Sequence, residues 1–303
     1  MYFLSPEERK YVLRRLLPQA RQDGAHDDLR GWNWMQPPLL PIYDVRLALY
    51  EIAGRYCPTR RDVYLRRVQG TKVRPNRAMI EGRVLHRTIA EFVLSAKRAI
   101  YSRSSQRMGD LSLMASPPER LLSAKDIPDE IHDTLAHKVG VLWDFEYHRV
   151  AARIQEVLAT QPHAGPDSLV ALALPVTVEQ RLDGRFLGLS SHLSADAFAL
   201  SEPMMIDIKF GRPRDFHKLT VTGYALVMES IYEFPINVGC LVYPGFRDGH
   251  VVLKRDFYVI GDELRQWFVE ERDELQRLVE EEIDPGLAGD CPKQCSYRAK
   301  CHA

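Results

Sequence analysis

Residues 193–211 read LSADAFALSEPMMIDIKFG, and three of them carry groups suited to metal-assisted chemistry: Asp196, Asp207 and Lys209. Two apolar, β-prone runs flank the polar break Ser201-Glu202-Pro203, a pattern that predicts an antiparallel hairpin. Side chains alternate along a strand, so Asp207 and Lys209 share a face. A two-residue turn at Glu202-Pro203 sets Asp196 directly opposite Lys209 on that face, and a slip of one residue would break the agreement. Two carboxylates and one ammonium beside a buried sheet are costly unless something neutralises them. A divalent cation suits the pair of carboxylates, either Mg²⁺ or Mn²⁺, with waters and a substrate phosphate completing its shell. The ammonium is then placed to orient an attacking water or to stabilise charge developing on the phosphate. An Asp-x-Lys pair alone also occurs on solvated strands, so the elements around it decide the matter.

Those elements follow from periodicity. Ser5-Pro6-Glu7-Glu8 predicts a helix start, with a capping box and proline at the first helical position, running to about Leu17. Residues 29–43 are rich in proline and are expected to be an extended segment pinned to the core by Trp32 and Trp34. Asp44 is expected to cap a helix through Tyr56, and Thr59 a second one through Val68. Residues 76–101 carry Ile80, Val84, Leu85, Ile89, Phe92 and Val93 near the 3.6-residue period, with His86 at the edge of that stripe. A surface loop over 103–128 and a long helix over 129–160 follow. From residue 169 the pattern turns to strands: VALALPVTVEQRL, GRFLGL, the hairpin, INVGCLVYPG and HVVLKRDFYVI, the last two joined by a turn at Arg247-Asp248-Gly249. A helix over 215–234 interrupts them, which is an α/β signature. A charged helix over 262–283 leads into the tail. The expected organisation is a mainly helical region over 1–168, a mixed-sheet core over 169–283 and a cysteine-rich tail over 284–303, forming one unit.

The tail holds the second chemical signal. Cys291, Cys295 and Cys301 crowd into CPKQCSYRAKC, with Cys57 as a distant fourth and Cys240 in a predicted core strand. Clustered cysteines in a reducing compartment point to metal binding or catalysis rather than disulfides. Four thiolates can hold either structural Zn²⁺ or a [4Fe–4S] cluster, and spacing alone does not choose between them. With 303 residues, 45% hydrophobic and 27% charged, the chain has the makings of an ordinary globular protein. No apolar run is long enough to cross a bilayer, and MYFLSPEERKYVLRRLL lacks the regions of a signal peptide, so a cytoplasmic location is expected. The net charge of zero means that any nucleic-acid surface must be local. Arg60, Arg61, Arg66 and Arg67 follow Cys57 on a predicted helix and are the candidates to line a phosphate-binding groove.

Taken together, an upstream cysteine, a helical histidine, Asp…Asp-x-Lys, a following helix with tyrosine and three terminal cysteines resemble the RecB-like, iron–sulfur-stapled nucleases. Within that group the chain is most similar to the CRISPR-associated exonuclease of the fourth Cas family, in its longer archaeal type I-A variant. MYFLSPEER, LRGWNW, YCPTRRDVYLR and EGRVLH echo that variant's opening, and the resemblance spans nearly the whole chain.

The resemblance implies a PD-(D/E)xK (RecB-like) nuclease core, with a mixed central sheet flanked by helices. In it the helical N-terminal half is stapled to the C-terminus by a [4Fe–4S] cluster on Cys57, Cys291, Cys295 and Cys301. It casts His86, Asp196 and Asp207 as ligands of Mn²⁺ or Mg²⁺, Lys209 as the catalytic lysine and Tyr224 as the tyrosine of the family's Gln-x-x-x-Tyr motif. Thr220 stands where that motif has glutamine, and the first cysteine gap in the tail is one residue longer than usual. The implied activity is metal-dependent exonucleolytic hydrolysis of single-stranded DNA, commonly 5′-to-3′. The implied task is to trim prespacer ends in CRISPR adaptation, beside the integrase built from the first and second Cas proteins. The rival readings are a RecB-like repair nuclease and a weakly catalytic subunit that binds DNA ends or motifs and gates the integrase. No G-x-x-x-x-G-K-[ST] motif is present, so the chain carries no P-loop motor of its own.

Overall fold

The computed structural model describes residues 1–102, 111, 114–124, 127–199 and 203–302. Ser5 caps α1 (Pro6–Tyr11): its hydroxyl accepts from the Glu8 amide while the Glu8 carboxylate accepts from the Ser5 amide. The chain continues through a π-helical stretch, Val12–Leu16, into α2 (Leu17–Gln22), beyond the expected end. Residues 44–68 hold less helix than expected, only α3 (Leu49–Ala53) and α4 (Arg61–Arg67). Asp44 and Thr59 cap neither: Glu51 reaches back to the Ala48 amide, and the Thr59 hydroxyl donates instead to the Gly286 carbonyl. Two long helices follow as expected, α5 (Arg77–Tyr101), capped by Asn76, and α6 (Asp129–Thr160). Of the predicted 103–128 loop, the described residues include one tight turn at Glu119–Leu121, and the rest is partly outside them.

Residues 170–173, expected to begin a strand, instead end the helix α7 (Pro166–Ala173). Pro166 opens this helix, and Leu169 and Ala173, one turn apart, bury against the core. Strand β1 starts only at Val176 and ends at Leu182. GRFLGL is likewise no strand: Arg185–Leu187 is a 3₁₀ turn, and Leu189 makes one isolated bridge to Leu47. Next come β2 (Leu193–Ala199), β3 (Met204–Ile208), α8 (Lys218–Tyr232), β4 (Val238–Arg247), β5 (His250–Val259), α9 (Asp262–Glu280) and the short α10 (Arg298–Cys301). The expected Arg247-Asp248-Gly249 turn is present. Asp248 and Gly249 both have positive φ, 50° and 73°, and Arg247 pairs with His250, the geometry of a type I′ hairpin.

The strands form one mixed sheet in the order β1-β2-β3-β4-β5, with β3 and β4 parallel and all other neighbours antiparallel. A parallel pair needs a crossover, and α8 supplies it. Met204, Ile206 and Ile208 of β3 join a core built with α5 and α6, where Phe92 meets Trp143 edge-to-face at 4.9 Å. Met205 turns the other way, into a core built with α3, α8 and α9. Helix α9, acidic in sequence, is not wholly exposed: Arg265, Phe268, Arg272, Leu275 and Gln276 line its buried side.

Candidate active site

The stripe that buries Val84, Leu85 and Ile89 docks α5 on the sheet and leaves His86 at the margin of the contact. There His86 Nδ1 lies 3.2 Å from Asp196 Oδ2. The same oxygen accepts the Ile208 amide at 3.0 Å, which ties the first strand of the hairpin to the second. Asp207 sits on β3, and Lys209 follows the strand end with its amide bonded to Val242 O at 2.9 Å. Lys209 Nζ is 2.9 Å from Asp207 Oδ2. Hence His86, Asp196, Asp207 and Lys209 converge and line one cleft of about 580 Å³.

The hairpin register differs from expectation. Ala199 pairs with Met204, Phe198 with Met205 and Ala197 with Ile206, which extrapolates to Asp196 opposite Asp207 rather than Lys209. The connection is two residues longer than a Glu202-Pro203 turn, and Ser201 and Glu202 lie outside the described residues. A shift of two preserves the side-chain parity, so the shared face survives the correction.

Burial and charge divide the two carboxylates. Burial raises the Asp196 pKa, but His86 and the Ile208 amide outweigh it and hold Asp196 below the ordinary carboxylate value. Asp207 is pushed up to about 6, by burial first and by the Asp196 charge second, against the opposing pull of Lys209. Burial disfavours charge on His86 and Lys209, yet the two aspartates overcome it and raise both. Neighbouring carboxylates driven in opposite directions are typical of acid–base sites.

Among the described residues, no three His, Cys, Asp or Glu side chains converge closely enough to form a ready-made cation site. In the arrangement seen, Asp196 is spent on His86 and Asp207 on Lys209. The donor set nevertheless fits a cation in kind. Asp207 Oδ2 is buried and has no aligned hydrogen bond despite its proximity to Lys209, and one imidazole plus two carboxylates make a mixed N/O set.

The same cleft gathers further residues, some expected and some that pattern reading missed. Tyr224, one of the expected residues, lines it and donates to the Ser194 carbonyl at 2.5 Å; burial raises its pKa. Thr220 is buried in the wall one helical turn earlier. His217 is held between two phenols, Tyr56 OH at 2.9 Å and Tyr243 OH at 3.2 Å. Burial and the nearby Lys209 and Arg214 lower its pKa to about 4. Arg83 and Arg87 come from α5, one on each side of His86, and Glu179 from β1. Only the i, i+4 spacing of Arg83 and Arg87 could have been read from sequence.

The arginines expected to line a phosphate groove are placed otherwise. Arg60 is buried with a left-handed backbone, φ 65°, and its guanidinium donates to the Glu51 and Ile52 carbonyls at 2.5 and 2.8 Å. Arg61 pairs with Asp284 and also donates to the Cys301 carbonyl. Arg66 and Arg67 both bind the buried carboxylate of Glu51, at 2.9 and 2.5 Å. All four are engaged in holding this corner together.

That corner is also where the C-terminal tail meets residues 57–76. Besides the Thr59 and Arg61 bonds to the tail, Asn76 donates to the Gln294 carbonyl and Arg298 to the Cys291 carbonyl. Cys57, Cys291, Cys295 and Cys301 are all free and partly buried. Burial raises the Cys295 and Cys301 thiols, and the proximity of Cys57 and Cys291 raises them further, so the four sulfurs share one neighbourhood. Their grouping suits a metal centre in donor chemistry, although no three of them stand at ligand geometry. Cys240 is buried in the core, as expected.

Comparison with known proteins identifies the family around this site. A relative from Saccharolobus solfataricus described as CRISPR-associated exonuclease Csa1 is 35% identical over 277 residues, covering 91% of this chain and 92% of the relative. Another of the same description from Thermoproteus tenax is 32% identical over 292 residues, covering 96% and 97%. The family model for CRISPR-associated exonuclease Csa1 matches residues 1–303, so the chain belongs to the Csa1 family of CRISPR-associated exonucleases.

Proposed function

We propose that this chain is a divalent-cation-dependent exonuclease on a PD-(D/E)xK (RecB-like) core that trims single-stranded prespacer ends during CRISPR adaptation. The observation that carries the reading is the convergence of His86, Asp196, Asp207 and Lys209 in one cleft, on elements far apart in sequence. His86, Asp196 and Asp207 would hold Mn²⁺ or Mg²⁺, which when bound supplies Lewis-acid binding of the scissile phosphate and a more acidic water. Lys209, held by Asp207, presents an ammonium to the charge that grows on the phosphate. Arg83 and Arg87 give the cleft a cationic wall along which a phosphate backbone can lie. Cleavage from the 5′ end and work beside the integrase of the first and second Cas proteins are the roles that family membership suggests. Cys57, Cys291, Cys295 and Cys301 are assigned a [4Fe–4S] cluster that fastens the tail to the helical half, so that binding the cluster contributes to folding.

The test is cleavage of single-stranded DNA labelled at either end, with anaerobically purified protein and added Mn²⁺ or Mg²⁺. Wild-type cleavage that disappears in both Asp207→Ala and Lys209→Ala is expected, and the label reports polarity. Equal activity in wild type and variants would overturn the assignment. Thr220, in the cleft wall where the family motif has glutamine, favours a second reading as a weakly catalytic DNA-end-binding subunit. DNA binding without cleavage would support it.

A further inference from the structure

Glu179 is the one non-glycine residue inside a strand whose backbone is left-handed, with φ 51°, among the described residues. A β-region strand residue does not visit this conformation without cost, and such strain concentrates at functional sites. Its position is specific. In the β1–β2 ladder Val178 pairs with Ala197 and Gln180 with Ala195, while the Glu179–Asp196 rung between them is interrupted. The register is the same on both sides, so no inserted residue forces the break.

A change of packing occurs at that rung. Val178 and Ala197 belong to the core under α5 and α6, whereas Leu182 and Ala195 belong to the core under α8 and α9. Both strands thus exchange cores at Glu179 and Asp196. A swivel of this kind would be satisfied best by glycine, and next by asparagine or aspartate. Glutamate has neither glycine's freedom nor a short side chain that pairs with its own backbone. A structural swivel alone therefore does not account for its presence.

The side chain lies in the cleft that holds His86, Asp196, Asp207 and Lys209. Its Oε2 accepts the Ser194 hydroxyl at 2.9 Å, and the Ser194 carbonyl accepts the Tyr224 hydroxyl. A carboxylate in a cleft for a polyanion opposes binding unless something positive or a hydrogen-bond donor uses it.

Resting on the nuclease reading above, we propose that Glu179 is a further carboxylate of the catalytic cleft. Its strained backbone aims it at the Asp196 rung, where it accepts hydrogen bonds from the waters of a cation held by His86, Asp196 and Asp207.

The test compares Glu179→Gly, which relieves the backbone and deletes the carboxylate, with Glu179→Gln, which keeps the strain and removes the charge. Thermal unfolding without metal should leave the Glu179→Gln midpoint near wild type and the Glu179→Gly midpoint equal or higher. Both variants should show a smaller Mn²⁺-induced rise in midpoint than wild type. In the cleavage assay both should lose about tenfold or more in kcat with little change in KM. A metal-free midpoint for Glu179→Gly below wild type would overturn the strain argument. An equal Mn²⁺-induced rise or equal kcat in wild type and Glu179→Gln would overturn the role assigned to the carboxylate. If wild type itself fails to cleave, and Asp207→Ala matches it, the nuclease reading fails. The metal-induced midpoint shifts still judge Glu179 separately in that case.

Discussion

Substituting Glu229 by glutamine tests what holds α8, and with it Thr220 and Tyr224, against the cleft. Glu229 is fully buried. Its two oxygens accept five bonds: Arg30 Nη1 at 3.0 Å, both terminal nitrogens of Arg265 at 2.7 and 2.9 Å, and the amides of Gly31 and Ile236 at 2.9 Å each. A glutamine at this position would offer one acceptor oxygen and an amide group whose protons face other donors. The buried Arg265 guanidinium would then lose the carboxylate charge it is paired with. Breaking a buried ion pair from one side costs about 3–5 kcal/mol, a large share of the roughly 5–15 kcal/mol that holds a domain folded. A midpoint drop on the order of 10 °C is expected by circular dichroism. A matched control is Glu274→Gln: Glu274 pairs with Arg277 at 2.8 Å but is 61% exposed, so it should move stability by less than about 1 kcal/mol. A Glu229→Gln midpoint within about 2 °C of wild type would refute the claim that this buried charge is structurally committed. Gly31→Ala attacks the same cluster by a separate route, because a Cβ there would sit 2.0 Å from the Leu226 carbonyl and 2.7 Å from Glu229 Cβ. It should be comparably damaging.

Three further outcomes are expected. Arg87→Ala should weaken single-stranded DNA binding across sequences and lower the slope of log affinity against log salt by about 0.7, so an unchanged slope removes Arg87 from the phosphate path. His217 has a folded pKa near 4 against 6.5 unfolded, so the unfolded chain binds more protons between those values and stability falls as pH drops from 6.5 to 4. That contribution is up to about 3 kcal/mol. His217→Gln should flatten this acid limb in denaturant titrations, and an identical loss in wild type and variant would remove His217 as its source. Cys291→Ala should give colourless, poorly soluble protein if a cluster fastens the tail. Soluble variant with full visible absorbance and metal content would contradict it.

What could be read from the chain follows the range of the interactions involved. The α5 stripe, the α6 helix and the β4–β5 hairpin were legible because each is specified by neighbours a few residues away: the 3.6 period, Asn76, and Asp248-Gly249 at two left-handed positions. The shared face of Asp207 and Lys209 was legible for the same reason. The rung opposite Asp196 was not, since turn length rather than alternation sets it. The partners of the arginines after Cys57 were not legible because they are remote: Glu51 is nine or more residues away, and Asp284 more than two hundred. A run of guanidiniums looks like a phosphate groove until those carboxylates are in place.

Glu229 presents the opposite case, a lone acid in the apolar helix LTVTGYALVMES that finds its arginines in LRGWNW and on α9. The echo of LRGWNW was visible without its cause, which is that Gly31 leaves room for the backbone to touch α8 and Arg30 neutralises the acid there. Charge in this molecule is therefore divided by burial rather than by sequence. The 51–67 corner and the 30–229–265 cluster spend their charges on holding α3, α4, α8 and α9. The cleft retains Asp207, burdened by burial and by Asp196, and with one oxygen lacking an aligned donor. Asp62 and Glu146 also keep one buried oxygen without a partner, but of the three only Asp207 stands in the cleft beside a second aspartate, which makes it the carboxylate most in need of a neutralising partner. That is the physical reason to test the Asp196–Asp207 rung first for the proposed cation.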